Sequence, residues 1–149
     1  MGFYININEQ TIPAGGSAIF TTTVIRDPGV KHNDGEGSFL LSGGPNKRNV
    51  CPCKGSPCKL YPINFGANIA IPEGGTVEAI SVAIAVNGST VPASTMIVTP
   101  AAVEQYFNIS REMPVGIFCG CCQTVTITNT STQPILMQNA TLEITKEDN

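Results

Sequence analysis

Apolar residues recur at every second position over most of this chain, and that period constrains the fold more than any other feature. Side chains of an extended strand alternate between faces, so period-2 runs become half-buried strands. Phe3, Ile5 and Ile7 share one face against Tyr4, Asn6 and Asn8. Tyr61, Ile63, Phe65, Ala67, Ile69 and Ile71 alternate with Pro62, Asn64, Gly66, Asn68 and Ala70. Val125 and Ile127 alternate with threonines, and Ala140, Leu142 and Ile144 with Thr141, Glu143 and Thr145. In the run Val77 to Val86, Ile80, Val82, Ile84 and Val86 lie opposite Ala79, Ala83 and Ala85. The large residues suit a sandwich core. The small face suits a second layer, either another part of the chain or a neighbouring subunit.

Turn residues punctuate these strands at regular intervals. Ile12-Pro13-Ala14-Gly15-Gly16 and Ile71-Pro72-Glu73-Gly74-Gly75 are near copies, each leading into an apolar run. Glycine accepts positive φ without a Cβ clash, so both read as the same turn. Asn87-Gly88 is a hairpin signal and predicts a return strand from Thr90 to Thr99. Ala101 to Phe107 reads either as one helical turn or as a strand starting at Glu104. Eight to ten short strands at about this spacing predict an all-β fold, a jelly-roll β-sandwich. The expected organisation is one domain over residues 1–149, with a cysteine-rich loop insertion at about residues 42–59.

All six cysteines fall in two short segments, Cys51, Cys53 and Cys58 in that loop, and Cys119, Cys121 and Cys122 further on. Brought together, they would form disulfides or a thiolate site for structural zinc; otherwise they are idle thiols. The spacing is not that of paired Cys-x-x-Cys ribbons, and the three readings stay open. The lone histidine, His32, has no cysteine pattern near it and reads as a loop or surface residue. Asp34-Gly35-Glu36 lacks the alternate-residue ligands of a calcium loop. The Gly-Gly pairs precede strands, so no phosphate-cradling loop is present. Nothing here demands catalysis, and the expectation is a non-enzyme with no certain cofactor.

Charged residues are only 13% of the chain, against roughly 25% in ordinary domains. Surfaces so poor in charge are easily buried against copies of themselves, which predicts an oligomer. A formal net charge of −3 with few basic residues argues against nucleic acid. No apolar run reaches membrane-spanning length. Met1 to Asn6 shows no basic region followed by an apolar core, so the chain is expected to be made in the cytoplasm.

Two family resemblances carry the reading further. Val86-Asn87-Gly88-Ser89-Thr90-Val91-Pro92, Thr126 to Ser131 and Asn139-Ala140-Thr141-Leu142 resemble the trimeric jelly rolls of the C1q and tumour-necrosis-factor type. These include the C-terminal domains of spore-surface collagen-like proteins, although residues 1–149 themselves hold no Gly-x-y repeat. Phe65 to Pro72, Ser94 to Glu104 and Cys119-Gly120-Cys121-Cys122 resemble small proteins encoded among virion genes of phages and prophages in gut Firmicutes. That resemblance runs from about Phe65 to Ile144, and this chain departs from it in the loop from Cys51 to Cys58.

Together these resemblances imply a homotrimeric virion structural protein, a capsid decoration or head-fibre protein. Its partners would be sister subunits and the major capsid protein. Ala79, Ala83, Ala85 and Tyr106 are the expected trimer-interface positions. The alternative is a receptor- or glycan-binding module at a phage fibre tip or spore surface, with the loops from Gly37 to Lys59 meeting a host-surface glycan or receptor.

Overall fold

The computed structural model describes residues 1–43, 59–117 and 122–148. Thirteen strands follow in chain order: β1 (Gly2–Asn6), β2 (Gln10–Ile12), β3 (Thr22–Ile25), β4 (Val30–Lys31), β5 (Phe39–Ser42), β6 (Lys59–Ala70) and β7 (Ile80–Val86). They continue as β8 (Ser89–Thr90), β9 (Met96–Val98), β10 (Phe107–Ile117), β11 (Cys122–Asn129), β12 (Ile135–Ile144) and β13 (Glu147–Asp148). One sheet runs β10-β6-β12-β1-β3, and the other runs β4-β5-β11-β7 with β8 and β9 both paired to β7.

Setting aside the short accessory strands leaves β10-β6-β12-β1 facing β5-β11-β7-β9. In chain order these eight strands trace two nested Greek keys, so the fold is a jelly-roll sandwich with antiparallel pairing throughout. No helix among the described residues is long and apolar enough to cross a membrane.

The core follows the alternation. Tyr61, Ile63, Phe65, Ala67 and Ile69 of β6 meet Ile80, Val82 and Ile84 of β7, with Val125 and Ile127 of β11 beside them. On β12 the inward set changes phase, from Ile135 and Met137 to Ala140, Leu142 and Ile144. The register against β6 shifts between Gln138 and Thr141, where three steps on β12 match two on β6. Asn139 absorbs the extra residue at φ 53, in the left-handed region that asparagine tolerates.

Three expectations are corrected. On β1 the buried face is Gly2, Tyr4 and Asn6, while Phe3 and Ile5 are half-buried and Ile7 is exposed. Tyr4 is drawn inward by edge contacts with Phe39 and His32, at 4.8 and 5.3 Å between ring centroids. Asn6 can be buried because its amide donates to the Ile19 carbonyl at 2.9 Å and its carboxamide oxygen accepts from Asn8.

The strand after Asn87-Gly88 is also broken, because Pro92 starts a short 3₁₀ turn over Pro92–Ser94. There the Ser94 hydroxyl accepts from the Ile84 amide and donates to the Val91 carbonyl, filling the gap between β8 and β9. Between Ala101 and Phe107 neither a helix nor an early strand forms. Glu104 sits at φ 58 in a turn, and β10 begins at Phe107.

The two Pro-x-Gly-Gly segments make the same turn, as their likeness predicts. Gly16 N–H donates to Pro13 O at 2.8 Å and Gly75 N–H to Pro72 O at 2.9 Å, with Gly15 at φ 77 and Gly74 at φ 82. They flank one loop, Asn129 to Gln133. The Asn129 amide donates to the carbonyls of Ile12, Pro13 and Gln133, and Gln133 bonds the backbone of Thr76 in both directions.

Candidate functional site

At the side where β3 and β4 end their sheets, the chain makes two tight turns, one between β3 and β4 and one between β4 and β5. In the first, Asp27 Oδ1 accepts the Gly29 amide at 2.8 Å and Asp27 O accepts Val30 N–H at 3.1 Å. Proline at the second position presets φ for such a turn. Gly29 is needed for space as well, since a Cβ there would lie 2.5 Å from the Tyr61 hydroxyl. In the second, Glu36 N–H donates to Asn33 O and Gly35 takes φ 94. The Thr23 hydroxyl ties this turn back to β3 by donating to Asp34 Oδ1 at 2.6 Å.

Between and beneath these turns lies a cleft of about 610 Å³. Its wall is polar: Thr23, Arg26, Asp27, Lys31, His32, Asn33, Glu36, Ser38 and Thr124, with Val30, Leu40, Pro28 and Tyr4 completing it. Five strands (β1, β3, β4, β5 and β11) and two turns contribute, so the site exists only once both sheets are assembled.

His32 is fixed in place. Its ring stacks on Phe39 with centroids 4.1 Å apart and planes 7° from parallel. Nδ1 lies 2.9 Å from Ser38 O and Nε2 lies 3.2 Å from Phe20 O. Both ring nitrogens face backbone carbonyls, so neither offers a lone pair to a substrate proton. The loop position expected from sequence holds, since His32 follows β4 outside any strand, and its ring is half-buried as a support for the cleft.

Asp27 is only 3% exposed and sits 3.1 Å from the Met1 ammonium. Burial works to raise its pKa, but the Gly29 amide, that ammonium and the Lys146 charge outweigh burial and hold the carboxyl below its usual range. Tyr4 is raised instead, first by burial and then by the Asp27 carboxylate, with Arg26 opposing. Its hydroxyl is the buried side-chain oxygen without a hydrogen-bond partner among the described residues. The Asp27 backbone amide approaches it without the geometry of a bond.

The residues singled out from sequence lie elsewhere. Ala83 and Ala85 are 0% and 1% exposed within the chain's own fold, leaving almost no surface for a sister subunit to cover. Ala79 is exposed, and half-buried Tyr106 donates to Glu9 Oε2 at 2.6 Å. Burial, and then that bond to Glu9, push the Tyr106 pKa up.

Cys51, Cys53, Cys58, Cys119 and Cys121 lie outside the described residues, as does most of the loop insertion; Cys122 is exposed at the start of β11. The strand ends that flank both cysteine segments are register partners, Ser42 with Cys122 and Lys59 with Ile117. Among the described residues no three His, Cys, Asp or Glu side chains are grouped to hold a metal.

The cleft itself was missed. One signal pointed to it: Arg26, Asp27, Lys31, Asp34 and Glu36 crowd five charges into eleven residues of a chain otherwise poor in charge.

No family model and no curated protein matches this chain. Among solved structures, it is similar over its whole length to a family 35 carbohydrate-binding module from an environmental isolate, covering 98% of that chain at 10% identity and a TM-score of 0.40. It is similar over 77% of its length to the sugar-binding C-terminal domain of EclA, covering 82% of that chain at 13% identity and a TM-score of 0.35. It also matches 23% of an arabinose-bound α-L-arabinofuranosidase at 12% identity and a TM-score of 0.38. Scores this low say nothing of a ligand, so the cleft is judged on its own residues.

Proposed function

We propose that this protein is a non-enzymatic saccharide-binding module and that the cleft beside β3 and β4 is its binding site. The observation that carries the reading is the make-up of the wall: about 610 Å³ of open space bordered by donors and acceptors together. Arg26, Lys31 and Asn33 donate; Glu36 and Asp27 accept; Thr23, Ser38 and Thr124 do either. Sugar hydroxyls both donate and accept, and a volume of this size takes one to three rings. A catalytic role is disfavoured because His32 has both nitrogens against carbonyls and Asp27 is already held by the Gly29 amide.

The test is a glycan array followed by titration calorimetry on cleft variants. Asn33→Ala and Thr124→Ala should each weaken binding about threefold to tenfold, the loss of one hydrogen bond. Ile97→Ser, on an exposed residue outside the cleft wall, should leave it unchanged. Saccharide binding that ignores the cleft variants, or no binding at all, would overturn the reading.

A second reading, assembly into a virion as a trimeric decoration protein, is favoured by the edge strand β3. Val24 and Ile25 there are 53% and 42% exposed, apolar surface that a sister subunit or a capsid protein would cover. Native mass spectrometry tests it: a threefold mass that Val24→Lys reduces to the monomer supports assembly, and a monomer at all concentrations sinks it.

A further inference from the structure

We infer that the saccharide taken by this cleft is acidic, with its anionic group held between Arg26 and Lys31; this rests on the saccharide reading above. The inference comes from counting which charges in the wall are already matched. Two acids line the cleft. Asp27 is engaged by the Gly29 amide at 2.8 Å and by the Met1 ammonium at 3.1 Å. Glu36 accepts from the Asn33 carboxamide at 3.4 Å. The neighbouring Asp34 accepts from the Thr23 hydroxyl.

Two cations line the same wall, and neither Arg26 nor Lys31 has a hydrogen-bond or ion-pair partner among the described residues. With Asp27 paired to the Met1 ammonium, the lining keeps two cations against one carboxylate, Glu36, which is bonded to a neutral carboxamide, so its balance is positive. The Asp27–Val30 turn sets the spacing. Arg26 directly follows β3 and Lys31 ends β4, so the turn between them brings both to one mouth. A guanidinium presents a planar fork of donors and an ammonium a compact point charge, a pair suited to an acidic oxygen group such as a carboxylate, phosphate or sulfate.

Neutral sugars can use the donors and acceptors of the wall but leave both cations without a counter-charge. Acidic ones use all of it. Because both side chains are exposed, replacing them should leave the fold intact, which circular dichroism would verify.

The experiment is calorimetric titration of the full chain with a galacturonic acid oligomer, a sulfated galactose oligomer and a neutral galactose oligomer of equal length. We expect at least one acidic oligomer to bind about tenfold or more tightly than the neutral one, with affinity falling as salt rises. Arg26→Gln with Lys31→Gln should abolish that preference, bringing the affinity for the acidic oligomer down to that for the neutral one measured on the same variant, and Lys31→Glu should reverse it. The acidic oligomer that wins identifies the anionic group. Equal binding of neutral and acidic oligomers would overturn this inference and leave the saccharide site standing. A preference that survives Arg26→Gln/Lys31→Gln would overturn the placement of the anion. No binding by any oligomer would remove both.

Discussion

The two ends of β11 treat polar groups in opposite ways. At Asn129 every side-chain hydrogen-bonding group is used: the amide reaches three carbonyls at 3.0 to 3.2 Å, and the carboxamide oxygen accepts Ser131 N–H at 2.9 Å. Ser131 closes onto Ser81 in both directions, and Gln133 does the same at Thr76. Near the other end, where Thr124 borders the cleft, the phenol of Tyr4 is buried without a partner and Arg26 and Lys31 have no ion-pair partner among the described residues. A network that is fully satisfied internally rigidifies a fold and has nothing left to offer a ligand. Groups left unmatched cost stability and are available for recognition. Function is therefore to be sought at the cleft, and stability at the Asn129 loop.

Breaking the satisfied end should have the largest effect. Asn129→Ala takes one donor from each of three carbonyls, of which Pro13 O keeps the Gly16 amide, and an acceptor from the Ser131 amide, in a site 1% exposed, and should cost about 3 kcal/mol in denaturant unfolding. Asn129→Asp should not rescue it, because a carboxylate cannot donate.

Gly29→Ala probes the seam between core and cleft. Its Cβ would meet the Tyr61 hydroxyl, which donates to Ser42 O at 2.6 Å, so the variant should lose about 2 kcal/mol by overpacking.

Asp27 gives the comparison a pH axis. Its folded pKa lies below the ordinary carboxylate value, so its contribution is fully present above about pH 4 and is lost as pH falls through the folded value. Asp27→Asn should lower the melting temperature near neutral pH and flatten its decline below pH 4.

The smallest change sharpens the contrast. Tyr4→Phe removes a hydroxyl that bonds to nothing in the described structure, so stability should hold or rise by up to about 1 kcal/mol. A loss above 1 kcal/mol would mean that Tyr4 belongs with the satisfied end.

What could be read from the chain alone was whatever depends on neighbours close in sequence. The alternation of β6, β7 and β11, the paired Pro-x-Gly-Gly turns and the Asn87-Gly88 hairpin all follow from period and glycine conformation, and they suffice for an all-β sandwich. The buried face of β1 was not legible, because Phe3 and Ile5 are as apolar as any core residue. Only the ring cluster of Tyr4, His32 and Phe39, far apart in sequence, turns Tyr4 inward. The phase change at Asn139 was hidden for a similar reason, since one residue at positive φ leaves no mark on composition. The cleft belongs wholly to the tertiary structure. Tyr4, Thr23, the turns from Arg26 to Ser38, and Thr124 meet only when the edges of two sheets are set side by side. Local patterning decided which segments are strands; long-range pairing decided which polar groups found partners and which were left for something else.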